Sequence, residues 1–206
     1  MQLVIDRKFR GPTESANGGY TCGLLASFMH GPAEVTLRLP PPLERPLEVV
    51  TDGPLELRDG EEVVAEAAAA ELELDVPDPI AFDEATAAAL PEGDRESVFP
   101  ECFVCGWARE DGMRIYPGPV EGRDVFAATW VPRPELISSQ FVWAALDCPG
   151  AYSLHFGQRG NPVLGRLAAR VEHLPHAGER CVVLGWPLGE DGRKLYAGTA
   201  LFGEDG

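Results

Sequence analysis

Hydrophobic and polar positions alternate along two series of segments. Each series also contains one segment that is apolar without alternation. Alternation with a period of two places every second side chain on one face and predicts β-strands. In the first series these strands cover 2–9, 33–39, 46–52, 55–59 and 61–74, and in the second 113–118, 124–131, 162–173, 178–188 and 194–202. The apolar segments 17–27 and 137–152 predict helices. Strands in runs with one helix in each series are typical of the α+β class.

The two series follow the same order: strand, loop, apolar helix, then strands with an Asp-Gly turn. Asp59-Gly60 in the first series corresponds to Asp191-Gly192 in the second. Internal duplication explains this order most economically, and a chance alignment of two ordinary α+β halves is the alternative. We therefore expect an N-terminal half over 1–80, a proline-rich acidic linker over 81–100, and a C-terminal half over 101–206.

One carboxylate, Asp147, lies within the apolar helix predicted from Ile137 to Tyr152. Ser138 and Ser139 precede the apolar residues and are suited to cap its first turn. Buried aspartates are uncommon unless they are paired or functional, so Asp147 is a candidate reactive group. The alternative is a structural carboxylate that accepts hydrogen bonds from a neighbouring strand or pairs with an arginine. Pro149 removes a helical donor, and we expect a kink after Asp147.

The sequence Asn17-Gly18-Gly19 lies at the entrance of the first predicted helix. Glycine allows another backbone or a ligand to approach closely, and unpaired amides at a helix N-terminus can bind an anion. A simple helix entry turn is the alternative interpretation.

These features resemble the hotdog fold in its double-hotdog form. FVWAALDCPGAY resembles the central helix of acyl-CoA thioesterases related to the phenylacetate-pathway enzymes, and CFVCG…DGMRIYPG resembles a lead-in found in some of them. The resemblance implies an α+β double hotdog, in which two long antiparallel sheets each wrap a central apolar helix.

The resemblance also assigns site residues, and it assigns them unequally to the two halves. The family's glycine entrance falls on Asn17, Gly18 and Gly19, whereas the second half has Gln140-Phe141-Val142 there. The helix carboxylate falls on Asp147, whereas the first half has Leu24. Since cooperating parts of hotdog sites come from opposite sides of the twofold axis, complementary losses imply one composite site per chain.

Thioester hydrolysis needs an activated water and donors for the developing oxyanion. In an apolar setting the pKa of Asp147 should rise, and the carboxylate can act as general base or nucleophile. The amides of Gly18, Gly19 and Tyr20 can bind the oxyanion, and the Asn17 side chain can orient the water. We assign Tyr20 and Trp143 to substrate binding, with core packing as the alternative for Trp143.

Arg166 and Arg170 share one face of a predicted strand and can hold the phosphates of coenzyme A. Their alternative is a solvated pair, or a pair bridged to acidic neighbours.

Cys102-x-x-Cys105 supplies half of a zinc site, and no second CxxC or spaced histidine pair follows it, so we predict neither a metal nor a cofactor. His155 lacks the Asp-x4-His spacing of hotdog hydratases, which disfavours dehydration.

Composition narrows the class of partners. A net charge of −16 and a pI near 4.6 disfavour nucleic acids and anionic membranes. No apolar run has the length of a membrane span, the N-terminus does not resemble a signal peptide, and five scattered cysteines suit a reducing cytoplasm. We expect a homodimeric, cytoplasmic, acyl-CoA thioesterase-like hydrolase, with a non-catalytic acyl-CoA or small-lipid binding module as the alternative.

Overall fold

The computed structural model describes residues 1–91, 99–154 and 162–206, which form helices and two antiparallel sheets. The predicted α+β class is confirmed. The helices in these ranges are α1 Gly18–Ala26, α2 Phe82–Ala88 and α3 Ser139–Ser153. The strands are β1 Gln2–Val4, β2 Ala33–Leu37, β3 Pro46–Val50, β4 Leu55–Asp59, β5 Glu62–Ala69, β6 Gly118–Pro119, β7 Phe126–Trp130, β8 Arg166–Ala169, β9 Cys181–Asp191 and β10 Lys194–Phe202.

The larger sheet joins distant parts of the chain. Its order is β1-β3-β4-β5-β2-β8, with every neighbouring pair antiparallel. β8 follows α3 in sequence, yet it pairs with β2, with Ala33 opposite Ala169 and Thr36 opposite Arg166. The smaller sheet has the order β10-β9-β7-β6. Strand β8 therefore connects the C-terminal part of the chain to the N-terminal sheet.

The two apolar helices pack on each other, and each also packs on one of the sheets. α1 contacts β2, β4 and β5, whereas α3 contacts β7, β9 and β10. One buried cluster unites these elements, from Ile5 near the N-terminus to Val183 in β9. A second cluster lies on the other face of β9, where Val182, Leu184 and Trp186 pack with Ile80 and Ala85 near α2. The alternation along β9 thus separates two apolar layers.

Some predicted elements are shorter than the sequence pattern indicated, and local hydrogen bonds explain why. β1 ends at Val4 because Asp6 begins a 3-10 turn, in which its carboxylate accepts from the Lys8 amide at 2.8 Å. Of the strand predicted over 113–118, only Gly118 is in a strand, β6, together with Pro119. The amides of Met113 and Ile115 donate instead to the carbonyls of Phe103 and Val104.

Helix α3 continues through Pro149 to Ser153, so the proline does not end it. The expected capping by serine hydroxyls is wrong: the Ser138 side chain makes no capping bond, and its carbonyl accepts from the amides of Phe141 and Val142 instead. Ten of the fifteen α3 residues are buried, and this burial stabilises the helix without that cap. Across the described ranges, no helix combines the length and apolar character needed to cross a membrane.

Candidate active site

The carboxylate of Asp147 meets the N-terminus of α1, although 128 residues separate it from Gly19. Its Oδ2 accepts from the Gly19 amide at 2.9 Å and from Asn17 Nδ2 at 3.1 Å. The side chain of Asp147 is half-buried. The structure therefore brings the three residues together, whereas their catalytic role stays a prediction.

Asn17 is fixed from several directions. Its extended backbone makes it the N-cap of α1, and its Oδ1 accepts from the Tyr20 amide at 2.9 Å. Its backbone amide donates to the carbonyl of Phe9, and its backbone carbonyl accepts from the Thr21 hydroxyl. With its oxygen used for capping, the Nδ2 group is oriented toward Asp147. A helix-capping residue thus becomes a site residue.

Glycine at position 19 is required by the close approach of the two helices. A Cβ at Gly19 would lie 2.6 Å from the Cβ of Asp147 and 2.7 Å from the carbonyl oxygen of Trp143. A Cβ at Gly23, one turn later, would lie 2.5 Å from the Cα of Gln140. α1 thus runs antiparallel to α3 and presents two glycines to it, which lets the Gly19 amide reach the carboxylate.

Burial is the largest influence on the acidity of Asp147. Loss of hydration raises its pKa to about 6, and the hydrogen bond from Gly19 opposes this rise. The nearby Cys102 raises the pKa further, and the bond from Asn17 lowers it. A pKa near 6 suits a general base, because the group is ionised at neutral pH and still has appreciable affinity for a proton.

Of the three amides assigned to the oxyanion, two already have acceptors within the protein. The Gly19 amide donates to Asp147, and the Tyr20 amide donates to Asn17 Oδ1. Gly18 is the first residue of α1, where helical geometry provides no carbonyl for its amide. Its Cα is enclosed by Leu37 and Leu164, which a Cβ would meet at 3.2 Å and 2.9 Å. Of the three amides, only that of Gly18 has no hydrogen bond within the described residues.

The predicted substrate-binding aromatics lie in the core. Tyr20 is 6% exposed and stacks on Phe9 with ring centroids 4.1 Å apart, and burial raises its pKa to about 12. Trp143 is 3% exposed and packs beside Gly23. Tyr20 also packs near the ring of Phe141 in α3, and the contact of both aromatics with a substrate stays a prediction.

The two arginines assigned to coenzyme A lie on the surface and already have acidic partners. Arg166 donates to Thr36 Oγ1 at 2.9 Å across the β2–β8 pairing and forms an ion pair with Glu34 at 3.2 Å. Arg170, just beyond β8, pairs with Glu172 at 3.1 Å. These pairs match the alternative interpretation, and a role in binding phosphates stays a prediction.

Sequence reasoning missed one neighbour of the site, Cys148. Its Sγ lies with those of Cys102 and Cys105 in a group whose members are all within 4.8 Å of one another. Asn17 Nδ2 also donates to Cys102 Sγ at 3.8 Å. All five cysteines of the chain are buried free thiols. The only sequence signal was that Cys148 directly follows Asp147.

Two surface cavities lie away from this centre. A cavity of about 540 Å³ is lined by residues that include Ile80, Phe82, Arg180 and Phe202, and another of about 430 Å³ by residues that include Tyr116. Neither cavity is lined by Asp147 or Asn17. His155, considered above for dehydration, lies outside the described residues.

The fold has counterparts among solved structures. A tesB protein of Mycobacterium avium subsp. paratuberculosis superposes with a TM-score of 0.54 over 93% of this chain and 82% of its own. The dehydratase domain of RzxB from Pseudomonas fluorescens superposes with a TM-score of 0.52 over 100% of this chain and 88% of its own. The chain has a hotdog fold.

Sequence comparison adds nothing to this assignment of a hotdog fold. No protein-family model and no curated protein matches the chain. Both hotdog structures are 12% identical to it, so the likeness concerns the fold alone. What this hotdog chain does must therefore be argued from its own residues.

Proposed function

We propose that the protein is an acyl-CoA thioesterase-like hydrolase with one composite site per chain, in which Asp147 is the general base. The observation that carries this proposal is the contact of the half-buried Asp147 carboxylate with Asn17 and Gly19. Because the Asn17 and Gly19 bonds both end on Oδ2, the Oδ1 atom is the one we assign to a water molecule.

In the proposed reaction, Asp147 accepts a proton as the water attacks the thioester carbonyl. The carbonyl oxygen becomes negatively charged, and we assign its stabilisation to the Gly18 amide and the positive end of α1. Collapse of the tetrahedral intermediate breaks the carbon–sulfur bond and expels the thiolate, which takes the proton from Asp147 and leaves as the thiol. The Asn17 and Gly19 donors hold the carboxylate in place throughout. Tyr20 and Trp143 are proposed to border the acyl group, and Arg166 and Arg170 the phosphates.

We further propose that the chain is a double hotdog with halves 1–80 and 101–206 and an intervening linker. The pairing of β2 with β8 and the antiparallel contact of α1 with α3 support this arrangement. A hotdog pair of this kind has further surfaces for symmetric association, so we propose a homodimer. The buried free thiols agree with a proposed cytoplasmic location.

The decisive experiment replaces Asp147 by asparagine. Hydrolysis of acyl-CoAs of several chain lengths is followed by release of free coenzyme A. Asp147→Asn keeps the shape and an acceptor oxygen but removes the base, so we expect kcat to fall by about 10²- to 10⁴-fold. Asp191→Asn, at the exposed β9–β10 turn, is the matched control and should keep wild-type activity. Absence of wild-type hydrolysis at every chain length rejects the proposal.

A non-catalytic acyl-CoA or small-lipid binding module is the second candidate. It is favoured by the amides of Gly19 and Tyr20, which are already satisfied within the protein and would then serve only to join the helices. Under this candidate, wild-type protein binds a non-hydrolysable acyl-CoA thioether, and Asp147→Asn leaves its affinity unchanged. Thioether binding in calorimetry, combined with the absence of acyl-CoA hydrolysis by the wild-type protein, identifies the binding module.

A further inference from the structure

Three cysteine side chains from two separate parts of the chain converge beside Asp147. Cys102 and Cys105 come from the loop before β6, and Cys148 comes from α3. Their sulfur atoms all lie within 4.8 Å of one another, and all three residues are buried. Packing does not require thiols specifically, because an alanine or a serine is of similar size. The convergence of three sulfurs is therefore a chemical feature of the fold.

The spacing of these sulfurs fits a tetrahedral metal site. With a zinc–sulfur bond of about 2.3 Å, two thiolates in a tetrahedral site lie about 3.8 Å apart. The observed separations, at most 4.8 Å, exceed this spacing by about 1 Å or less. Zinc prefers thiolate ligands, and calcium and magnesium prefer oxygen. The donor set therefore selects zinc among the common divalent cations.

We propose that Cys102, Cys105 and Cys148 bind one Zn²⁺ ion per chain as three thiolates, with water in the fourth position. Each thiol transfers its proton to solvent when the metal binds, so three thiolates and one Zn²⁺ carry a net charge of −1. Without the metal, hydrogen bonds from the Cys105 and Cys148 thiols hold the pKa of Cys102 well below its usual value, whereas the pKa values of Cys105 and Cys148 are raised. The CxxC segment thus supplies two ligands, and α3 supplies the third that the sequence pattern lacked.

A neighbouring side chain is placed to support this site. Asn17 Nδ2 donates to Cys102 Sγ at 3.8 Å and to Asp147 Oδ2 at 3.1 Å. Hydrogen bonds from outside the ligand set orient metal ligands and adjust their charge. The bound ion would fasten the 102–105 loop to α3 one residue from the carboxylate. This inference does not depend on the proposed hydrolysis, because its first readout is the metal content.

The test measures metal in the full-length protein. Protein produced with supplementary zinc and purified under reducing conditions without chelators should contain about one zinc per chain by elemental analysis. Replacing the metal by Co²⁺ should give a thiolate-to-cobalt charge-transfer band in the near ultraviolet and the intense visible bands of tetrahedral cobalt. Sub-stoichiometric zinc together with the absence of the charge-transfer band overturns the proposal.

Single variants then identify the ligands. Cys148→Ser should weaken zinc binding by more than the roughly 10- to 100-fold that loss of an outer-shell partner costs, and Cys102→Ser and Cys105→Ser should do the same. Cys181→Ala, which removes a buried thiol in β9 outside the group, is the matched control and should keep full zinc content. Wild-type zinc affinity in folded Cys148→Ser overturns the proposal. Asp147→Asn should keep the zinc, which separates this result from the outcome for hydrolysis.

Discussion

At the scale of single residues, the acidity of Asp147 reflects a competition. Burial penalises the carboxylate, and two donors, the Gly19 amide and Asn17 Nδ2, compensate for only part of that penalty. A pKa of about 6 is the net result. The charge is thus tolerated without being stabilised, which is the condition expected of a reactive group and not of a structural ion pair.

The raised pKa of Asp147 predicts an unusual dependence of stability on pH. The folded-state pKa lies above the unfolded one, so the folded state binds the proton more tightly, and the contribution of Asp147 to stability falls as pH rises from about 4 to 6. A pKa difference of one unit corresponds to about 1.4 kcal/mol. Asp147→Asn should therefore be more stable than wild type by about 3 kcal/mol above pH 6, and by little below pH 4.

Chemical denaturation at a series of pH values measures this difference. The same titration should appear in the proposed activity, with kcat/KM rising with pH to a plateau above an apparent pKa near 6. A stability difference that does not change with pH contradicts this account of Asp147.

Replacing Asn17 should shift the pKa of Asp147 and, with it, the pH dependence of the proposed activity. Asn17→Asp keeps the oxygen that caps α1 but removes the donor to Asp147 and places a second carboxylate beside it, so the pKa of Asp147 should rise. We expect the rising limb of the activity profile to move to higher pH by at least about one unit, since like charges in one site strongly separate their pKa values. Asn17→Ala, which loses the cap and adds no charge, should instead cost about 1 kcal/mol of stability with a smaller shift of the limb.

At the scale of secondary structure, the site depends on how closely α1 approaches α3. Gly19→Ala and Gly23→Ala each raise the helix propensity of α1 by about 1 kcal/mol. Both also introduce a Cβ less than 3 Å from backbone atoms of α3 that cannot move independently. The clash should prevail, with a net loss of about 1 to 3 kcal/mol in the free energy of unfolding.

Thermal denaturation of these glycine variants should be compared with that of Gly165→Ala. Gly165 is exposed, and a Cβ there meets open space, so its variant should equal or slightly exceed wild type. Of the two helix variants, Gly19→Ala should also reduce activity, because it displaces the amide that bonds Asp147. Equal stability of all three variants would show that the helices are not held at this distance.

The elements predicted from the sequence differ in how well they matched, and the difference is physical. β10 has the predicted bounds because it pairs with β9 along its whole length, and α3 lies within two residues of its prediction because most of its side chains are buried. The segment 113–118 has an alternating pattern, but its amides bond to the 103–104 backbone. A pattern reports which side chains are buried and not which carbonyl accepts each amide.

The candidate site was predictable where local chemistry defines it. Asn17 is recognisable as a helix cap, and Asp147 as a charge in an apolar segment. Cys148 escaped notice because only the folded chain brings it to Cys102 and Cys105. The engagement of the Gly19 and Tyr20 amides also depends on rotamers and interhelical distance, which no spacing in the sequence encodes.

At the scale of the whole molecule, the parts of the chain share one main core. Leu57 of β4 and Val183 of β9 belong to the same buried cluster, and β2 pairs with β8. Neither part can lose its packing without exposing apolar surface of the other. We therefore expect the chain to unfold in one cooperative transition.

The tryptophans allow this cooperativity to be measured. All four lie C-terminal to the 81–100 segment, so their fluorescence reports on that part only, whereas far-ultraviolet circular dichroism reports on both. Leu57→Ala, a fully buried site on the N-terminal side, should cost about 2 to 5 kcal/mol, and it should shift the two signals equally. Leu188→Ala, at an exposed position, is the control. A fluorescence transition that Leu57→Ala leaves in place would reveal independent units.

The several bonds of Asn17 affect how the protein can be engineered. One side chain caps the first turn of α1, holds Asp147 and contacts Cys102. A library randomised at position 17 would change yield, acidity and thiol environment together, and selection could not tell which property each survivor had gained. Libraries that keep asparagine at this position would leave all three properties fixed while other positions are varied.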